Sequence, residues 1–156
     1  MSIFDKFTKK INAEELAASQ AEINKNTTGD YPEVPVGKYE VKIDKMEAKM
    51  SSKNNPMVTI WFRILEGNFK DSIIFYNGTF HEDWMRHKVV DFLSAILDDA
   101  DHKAEINLIL KDSNINEVND FVMDIHEQVD GQFEYLLDYG LKKGYNTYTI
   151  EEVFEV

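Results

Sequence analysis

Three segments in the first half of the chain alternate apolar and polar residues with a period of two, the pattern typical of half-buried β-strands. The first covers residues 38–44 and continues toward Met50, and the second covers 57–65. The third, 72–80, is apolar on both sides, so we expect both of its faces to be covered. On the second strand the predicted core face consists of Val58, Ile60, Phe62 and Ile64.

Helical spacing replaces this alternation between residues 81 and 129. Apolar residues recur at the helical period in 83–97 and again in 116–129, which predicts two amphipathic helices. The residues between them, 98–110, are predicted to join the two helices. In the first helix the positions near helical spacing are Trp84, Lys88, Val89, Phe92, Ile96 and Leu97.

Two further β-segments follow, and a helix is predicted near the N-terminus. Segments 132–140 and 146–155 are predicted to form a closing hairpin with Gly140 and Gly144 at its turn. Residues 12–24 are rich in good helix formers, which favours a short amphipathic helix. A connector containing proline and glycine leads from this helix to the first strand.

The predicted order is three strands, a helical segment and two strands. This order is expected of an OB barrel, a five-stranded β-barrel with helix between its third and fourth strands. We therefore predict a mainly β, OB-like single domain over residues 1–156, with the N-terminal helix and connector in 1–36 and an acidic helical insertion in 81–129. In such barrels the second and third strands form the ligand face, and the loops between strands one and two and between strands four and five flank it.

Both of these flanking loops are basic in this sequence. The first contains KMSSKN, residues 49–54, and the second contains LKKGY, residues 141–145. On an OB barrel Trp61, Arg63 and Tyr76 would lie between them, because Trp61 and Arg63 share the face opposite the core residues of their strand. The sequence thus predicts a cationic rim around an aromatic floor.

Composition excludes several other kinds of protein. At 43% hydrophobic and 29% charged residues, the chain has the profile of an ordinary globular protein. It contains no cysteine, so disulfides, thiolate metal sites and cysteine nucleophiles are excluded. No segment approaches the roughly 18 apolar residues that a membrane span needs, and the N-terminus lacks the pattern of a signal peptide. We expect a soluble intracellular protein with no membrane association.

The formal net charge of -12 is unevenly distributed. Residues 38–78 carry seven basic and five acidic groups, whereas 79–139 carry four basic and fifteen acidic groups. An acidic protein can still bind a polyanion through a basic face, because charges more than roughly 8 to 10 Å away are screened at physiological salt. The acidic segment also leaves an alternative open, a protein-interaction module or DNA mimic that inhibits a host nucleic-acid-binding protein.

Residues 31–77, together with the C-terminal hairpin, resemble a family of small phage proteins from replication and recombination modules. The resemblance lies in a P-x-G-x-Y entry, a basic loop, N-P-M before a strand, an E-G-x-(F/Y)-K-x turn and a terminal KKGY-x-x-Y hairpin. Proteins of this family are single-stranded-DNA-binding proteins. The resemblance implies sequence-tolerant binding of single strands in the cytoplasm of an infected bacterium, with phage or host replication and recombination proteins as partners.

The mechanism expected for such a protein is stacking of bases on aromatic rings and pairing of Lys and Arg with phosphates. Trp61 and Tyr76 are predicted to stack, and Tyr145 or Tyr148 extends the platform. Phosphate contacts are predicted for Lys49, Lys53, Arg63, Lys142 and Lys143, with hydrogen bonds from Ser51, Ser52 and Asn55. The alternatives are that Trp61 covers a neighbouring helix, that a slip of register buries Tyr76 and that the lysines are only solvated.

Catalytic motifs are absent from the sequence. It has no phosphate-binding loop of the G-x-x-x-x-G-K-[ST] kind, no G-x-S-x-G and no H-E-x-x-H. Asp112 begins a stretch that resembles a calcium loop, but Glu117 stands in place of the required glycine. Asp98, Asp99 and Asp101 suit a magnesium-dependent nuclease or, equally, a solvated turn. We predict no enzymatic activity, no metal and no cofactor, and leave open whether the helix 12–24 packs on the barrel or on a second subunit of a homo-oligomer.

Overall fold

The computed structural model describes residues 33–156, of which 35–156 form one compact unit. This unit is mainly β, with a five-stranded antiparallel sheet and three helices. None of the helices in the described part of the chain is long and apolar enough to cross a bilayer. The predicted N-terminal helix, 12–24, lies outside the described residues.

The described residues form three strands, then three helices, then two strands, which is the order that the hydrophobic pattern predicts. The strands are β1 (Gly37–Met50), β2 (Pro56–Ile64), β3 (Ile73–Thr79), β4 (Phe133–Lys142) and β5 (Tyr145–Glu155). The helices are α1 (Asp83–Leu97), α2 (Lys103–Asp112) and α3 (Ile115–Val129). Both predicted helices and all five predicted strands are present, and α2 is an additional helix within the segment predicted only to join the other two.

The sheet is organised around β1, which is long enough to pair with two strands in succession. Its first part pairs with β4 and most of its length pairs with β2, so the strand order is β3-β2-β1-β4-β5. The β1–β2 register shifts between Ile43 and Lys45, which leaves Asp44 as the extra residue of a bulge. Since bulges bend a strand and increase its twist, β1 bends here, three residues beyond Val41, where its pairing passes from β4 to β2.

The core lies on one face of the sheet and under the helices. The four predicted core residues of β2 are completely buried, which confirms that prediction. Helix α3 closes the core beside β1, where Asn119 Oδ1 accepts a hydrogen bond from the Ala48 amide at 2.9 Å. His126 Nε2, about two helical turns further along α3, lies 3.1 Å from the Ile43 carbonyl oxygen. The side chains of α3 thus contact backbone groups of β1 on both sides of its bulge. These groups lie beyond Val41, where β4 no longer pairs with that strand.

The two edge strands of the sheet, β3 and β5, approach each other. Tyr148 of β5 donates a hydrogen bond from its hydroxyl to the Phe75 carbonyl oxygen of β3 at 2.8 Å. The Tyr148 ring also meets the Tyr76 ring edge-on, with centroids 5.1 Å apart. The sheet therefore curls enough for a side chain to bridge its two edges.

Candidate nucleic-acid interface

Cationic and aromatic side chains share the outer face of β1, β2 and β3, opposite the core. The register places Lys42 beside Arg63 and Lys45 beside Trp61 across the β1–β2 ladder. On the other side of β2, Trp61 is the partner of Phe75 on β3. We call this surface the basic–aromatic face; its residues are Lys42, Lys45, Lys49, Trp61, Arg63 and Phe75.

Trp61 lies at the centre of this face and is partly exposed. Its ring meets the Phe75 ring edge-on, with centroids 5.3 Å apart and planes at 82°. The Lys45 ammonium lies 4.9 Å from the centroid of the Trp61 ring, within the range of a cation–π interaction. The indole is therefore held in position by two neighbours on adjacent strands, which lowers the entropy that a stacking ligand would have to remove.

The lysines of the face are accessible and weakly paired. Lys45 and Lys49 both point toward Glu47, with Nζ to Oε2 distances of 3.6 and 3.4 Å. About half of each lysine side chain is exposed, and ion pairs at such sites contribute only about 0 to 1 kcal/mol. A phosphate could therefore replace Glu47 as the partner of either lysine at little cost.

Arg63 is more tightly held than the lysines. Its Nε donates to Asp44 Oδ2 at 2.7 Å, and its Nη2 lies 2.5 Å from the same oxygen. Its Nη1 lies 3.8 Å from the Asp71 carboxylate. Because Asp44 is the bulged residue of β1, this contact fixes the bend of the strand. The predicted phosphate contact of Arg63 would have to compete with that structural role.

The β1–β2 turn is ordered by its own polar residues. The Ser51 and Asn54 amides donate within the turn to the Asn55 and Ser51 carbonyl oxygens, at 2.7 and 2.8 Å. The Ser51 hydroxyl accepts from the Asn55 amide at 3.1 Å, and Asn54 has a φ of 65°, a left-handed angle that asparagine tolerates. Ser52 and Lys53 are exposed at the tip of the turn. Of the predicted hydrogen-bonding residues, Ser52 is thus the freest to contact a ligand.

The β4–β5 turn is a tight two-residue turn formed by Lys143 and Gly144. Both have positive φ angles, 52° and 82°, as in the hairpin turns that match the twist of the strands. Lys142, Lys143 and Tyr145 are exposed, and Tyr145 is 77% accessible. The ladders place the two basic turns at opposite ends of β1, since the β1–β2 turn follows Met50 while β4 continues past Gly37.

The predicted aromatic floor is wrong in one residue. Tyr76 is 8% exposed and lies on the core face, where its ring stacks on Phe92 of α1 with centroids 4.4 Å apart. Burial raises the pKa of its hydroxyl above the usual range. The reason is register: Tyr76 pairs with the core residue Ile60, so its neighbour Phe75 shares the outer face with Trp61.

The Tyr148 side chain also makes its contacts within the protein. Besides its hydrogen bond to β3, its ring lies 5.5 Å from the Tyr139 ring. Burial raises the pKa of the Tyr148 hydroxyl, which keeps it protonated as a donor. The side chain bridges the edges of the sheet, and of the two tyrosines predicted to extend the platform only Tyr145 is largely exposed.

The other half of the outer face, formed by the first part of β1 with β4 and β5, is acidic. Its carboxylates are Glu40, Glu134, Asp138, Glu151 and Glu152. Repulsion by Glu66 is the largest cause of a raised pKa at Glu40, and Glu134 and Glu152 add to it. Lys38 pairs with Glu151 at 2.9 Å, which leaves most of these acids without a cation of their own among the described ion pairs. We call these five carboxylates the acidic half.

Sequence reasoning missed three residues of the basic–aromatic face. Lys42 follows the predicted alternation of residues 38–44, but Lys45 is out of phase with it, because the bulge at Asp44 shifts the register by one residue. Phe75 was not distinguished from Tyr76 because β3 is apolar on both sides. Phe75 can be assigned to the face only from its pairing with Trp61, and that pairing requires knowledge of the β2–β3 register.

The Asp98–Asp101 turn, a candidate metal site in the sequence, is held by contacts of the Asp99 carboxylate. Asp99 accepts a hydrogen bond from the Asp101 amide at 2.9 Å and contacts His102 Nδ1 at 2.6 Å. These contacts lower the pKa of Asp99 and raise that of His102. Within residues 33–156 no group of three or more His, Asp or Glu side chains is arranged to hold a metal ion.

Comparison with known proteins bears on the family alone. No curated protein matches this chain. A family profile described as "Protein of unknown function (DUF669)" matches residues 21–128, which span β1 to α3 and include the whole basic–aromatic face. The chain belongs to the DUF669 family.

Proposed function

We propose that this protein binds single-stranded DNA without sequence preference, through an OB-like barrel, in phage DNA replication or recombination. On this proposal it acts in the cytoplasm of the infected bacterium and has no catalytic role. Its partners there are the single strand and the phage or host proteins that work on it.

The strand order supports the barrel. In an OB barrel β1 is shared between β2 and β4, and the sheet closes where the third and fifth strands meet. The ladders β1–β2, β2–β3, β1–β4 and β4–β5 are all present, and the helices lie between β3 and β4. The contact between Tyr148 and Phe75 joins the two strands at which such a barrel would close.

The observation that carries the proposed function is the composition of the basic–aromatic face. An indole lies among lysines at the middle of the β1–β3 surface, which is where OB folds bind oligonucleotides. Stacking on an aromatic ring is indifferent to sequence because every base has a π-face. Three lysines along β1 then supply the charge that phosphates require.

The net negative charge is compatible with this function. Some carboxylates of the helical segment lie near the face, since Asp124 and Glu127 of α3 line a hollow together with Lys45. Carboxylates more than a Debye length away, roughly 8 to 10 Å, are screened and oppose binding little. Acids on the remaining surface would instead disfavour duplex DNA, with its higher charge density. A single strand, which can bend and turn its bases toward Trp61, suits a narrow basic surface.

A salt titration tests the proposal. Binding of oligo(dT) by the full chain should weaken linearly on a log–log scale, with a slope of about 0.7 for every phosphate neutralised. Duplex of the same length is the comparison, and it should bind more weakly at every salt concentration. Trp61→Ala should weaken the binding of all single-stranded sequences by about 1 to 3 kcal/mol, with Leu108→Ala as a control at an exposed helical position.

Absence of single-strand binding at high protein concentration would refute the proposal. The alternative, an acidic interaction module that mimics DNA, would then be favoured. Equal loss of affinity in the Leu108→Ala control would mean that Trp61 acts through stability and not through stacking.

A further inference from the structure

A groove lies between the edge strands of the sheet and the first helix. It has a volume of about 560 Å³ and is bounded by residues 76–79 of β3, residues 146–150 of β5 and one side of α1. Both strands are sheet edges, so neither is covered by a further strand along this groove. None of the residues that line the groove belongs to the basic–aromatic face.

An exposed tryptophan stands at one wall of this groove. Trp84, in the first turn of α1, is 56% exposed, although helical spacing predicted it on the same stripe as the buried Val89 and Phe92. The Lys88 ammonium lies 5.4 Å from the centroid of its ring. Its indole N–H donates to Glu82 Oε1 at 3.2 Å, which fixes the orientation of the ring. Trp84 thus presents an oriented aromatic surface with a cation beside it.

The rest of the groove combines aromatic and polar groups. Its floor includes Tyr76 stacked on Phe92, and a side chain at Gly78 would overlap the Tyr76 ring, since a Cβ there would lie 2.7 Å from Tyr76 Cζ. Glycine therefore keeps the floor open. Polar side chains around the groove are Asn77, Asn146, Thr147 and Thr149. Amides and hydroxyls both donate and accept, as the edge of a nucleobase requires.

The acidic residues around the groove already have partners. Asp83 pairs with Arg86 at 2.6 Å, a contact that lowers the pKa of the Asp83 carboxyl. Asp91 pairs with Lys103 at 3.2 Å. These partners reduce the repulsion that an approaching phosphate would meet, while Lys88 remains beside the indole.

The groove is continuous with the proposed interface. Thr79, which borders the groove, pairs with Met57 at the start of β2, and the next amide, that of Phe80, donates to the Pro56 carbonyl oxygen at 3.1 Å. The basic β1–β2 turn ends directly before Pro56. A strand that leaves Trp61 along β2 toward this turn therefore reaches the Trp84 end of the groove.

We propose that this groove is a second base-binding site, in which a nucleobase of the same DNA strand stacks on Trp84 and its edge bonds to the polar side chains of β3 and β5. Lys88 meets the phosphate next to that base. This inference rests on the proposed function and extends it by giving the path of the strand, from Trp61 past the β1–β2 turn and over the end of β3.

The chain contains two tryptophans, so each site can be observed by itself. In the Trp61→Phe variant the only indole is Trp84, and in Trp84→Phe the only indole is Trp61. We expect long oligo(dT) to quench the fluorescence of both variants. Quenching of Trp61 without any change at Trp84 would overturn the groove and leave the proposed function intact, while no change in either variant, with no binding in the salt titration, would overturn both.

Affinity provides the second readout. Trp84→Ala should weaken binding of long oligo(dT) between about 5-fold and about 150-fold, the range expected for one stacked base. The loss should shrink for strands too short to reach from Trp61 to the groove. Leu108→Ala is the matched control, since Leu108 is 55% exposed on α2, and it should bind like the parent chain. An equal loss at every strand length would contradict a second base site.

Discussion

The two halves of the outer face of this sheet share one strand and have opposite character. Beyond Val41, where it pairs with β2, β1 contributes Lys42, Lys45 and Lys49 to the basic–aromatic face. Where it pairs with β4, the same strand contributes Glu40 to the acidic half. The alternation of apolar and polar residues changes phase at the bulge of β1, and neither surface is visible in the net charge of the chain.

The boundary between the halves is a structural feature. Asp44 forms the bulge, and Arg63 binds its carboxylate from the neighbouring strand. Three residues before the bulge, at Val41, β1 changes partner, because the β4 ladder ends there and the β2 ladder begins there. A strand that changes partner thus changes the surface it displays, and binding should depend on which half carries a charge rather than on how many charges there are.

The largest effect is expected from neutralising the lysines of the basic–aromatic face. Simultaneous Lys42→Gln, Lys45→Gln and Lys49→Gln substitutions remove three cations from the basic–aromatic face. If each meets a phosphate, the log–log salt slope for oligo(dT) should fall by about 2, with a corresponding loss of affinity at low salt. Fluorescence anisotropy across a salt series measures both quantities.

The matched control removes three charges from the other half. Glu40→Gln, Glu134→Gln and Glu152→Gln change the net charge by the same amount in the opposite direction. We expect the salt slope to stay that of the parent chain. If affinity rises in this control as much as it falls in the lysine variant, net charge governs binding and the distinction between the halves has no functional meaning.

Sequence patterns predicted the strands and the β2 core well, because a period of two is a strong local signal and the turns contain Pro, Gly and Asn. They do not distinguish the two faces of β3, which is apolar on both, so they predict Tyr76 on the outer face where the structure has Phe75. Helix α2 was missed because its buried stripe consists of only Ile106 and Leu110. The ion pair between Asp44 and Arg63 depends on a bulge, which no residue pattern announces.

The second effect concerns the contact that joins the two halves at their far edges. Tyr148→Phe removes the hydroxyl that bridges β5 to the Phe75 carbonyl oxygen of β3. Loss of this partly buried hydrogen bond should lower the free energy of unfolding by about 1 kcal/mol. Urea denaturation followed by circular dichroism measures the change.

Tyr145→Phe is the control for that substitution. Tyr145 lies on the same strand and is 77% exposed, so removing its hydroxyl should leave the free energy of unfolding unchanged. Equal destabilisation by both substitutions would show that the bridge between the edges contributes nothing specific. Oligo(dT) affinity in Tyr148→Phe would report whether the groove depends on the bridge.

A smaller effect tests whether the basic turn of β4 and β5 belongs to the interface. Lys143 adopts a φ of 52°, where asparagine is better accommodated than lysine. Lys143→Asn should raise the free energy of unfolding by a few tenths to about 1 kcal/mol. If the lysine meets a phosphate, as we expect, the salt slope should fall by about 0.7 at the same time. A more stable variant with an unaltered slope would confine the interface to the basic–aromatic face.

The smallest effect lies in the acidic half itself and depends on pH. Repulsion by Glu66 raises the pKa of Glu40 above its ordinary value of 4.5, so the folded chain binds this proton more tightly than the unfolded chain does. Stability is therefore lost as pH rises from about 4.5 through the folded pKa, and the loss persists at neutral pH. Glu40→Gln should raise the urea midpoint at pH 7 and leave it unchanged well below pH 4.5, whereas Glu127→Gln, on the exposed side of α3, should show no such pH-dependent gain. An equal gain in both variants would mean that the general negative charge of the chain, and not this cluster on β1, opposes folding.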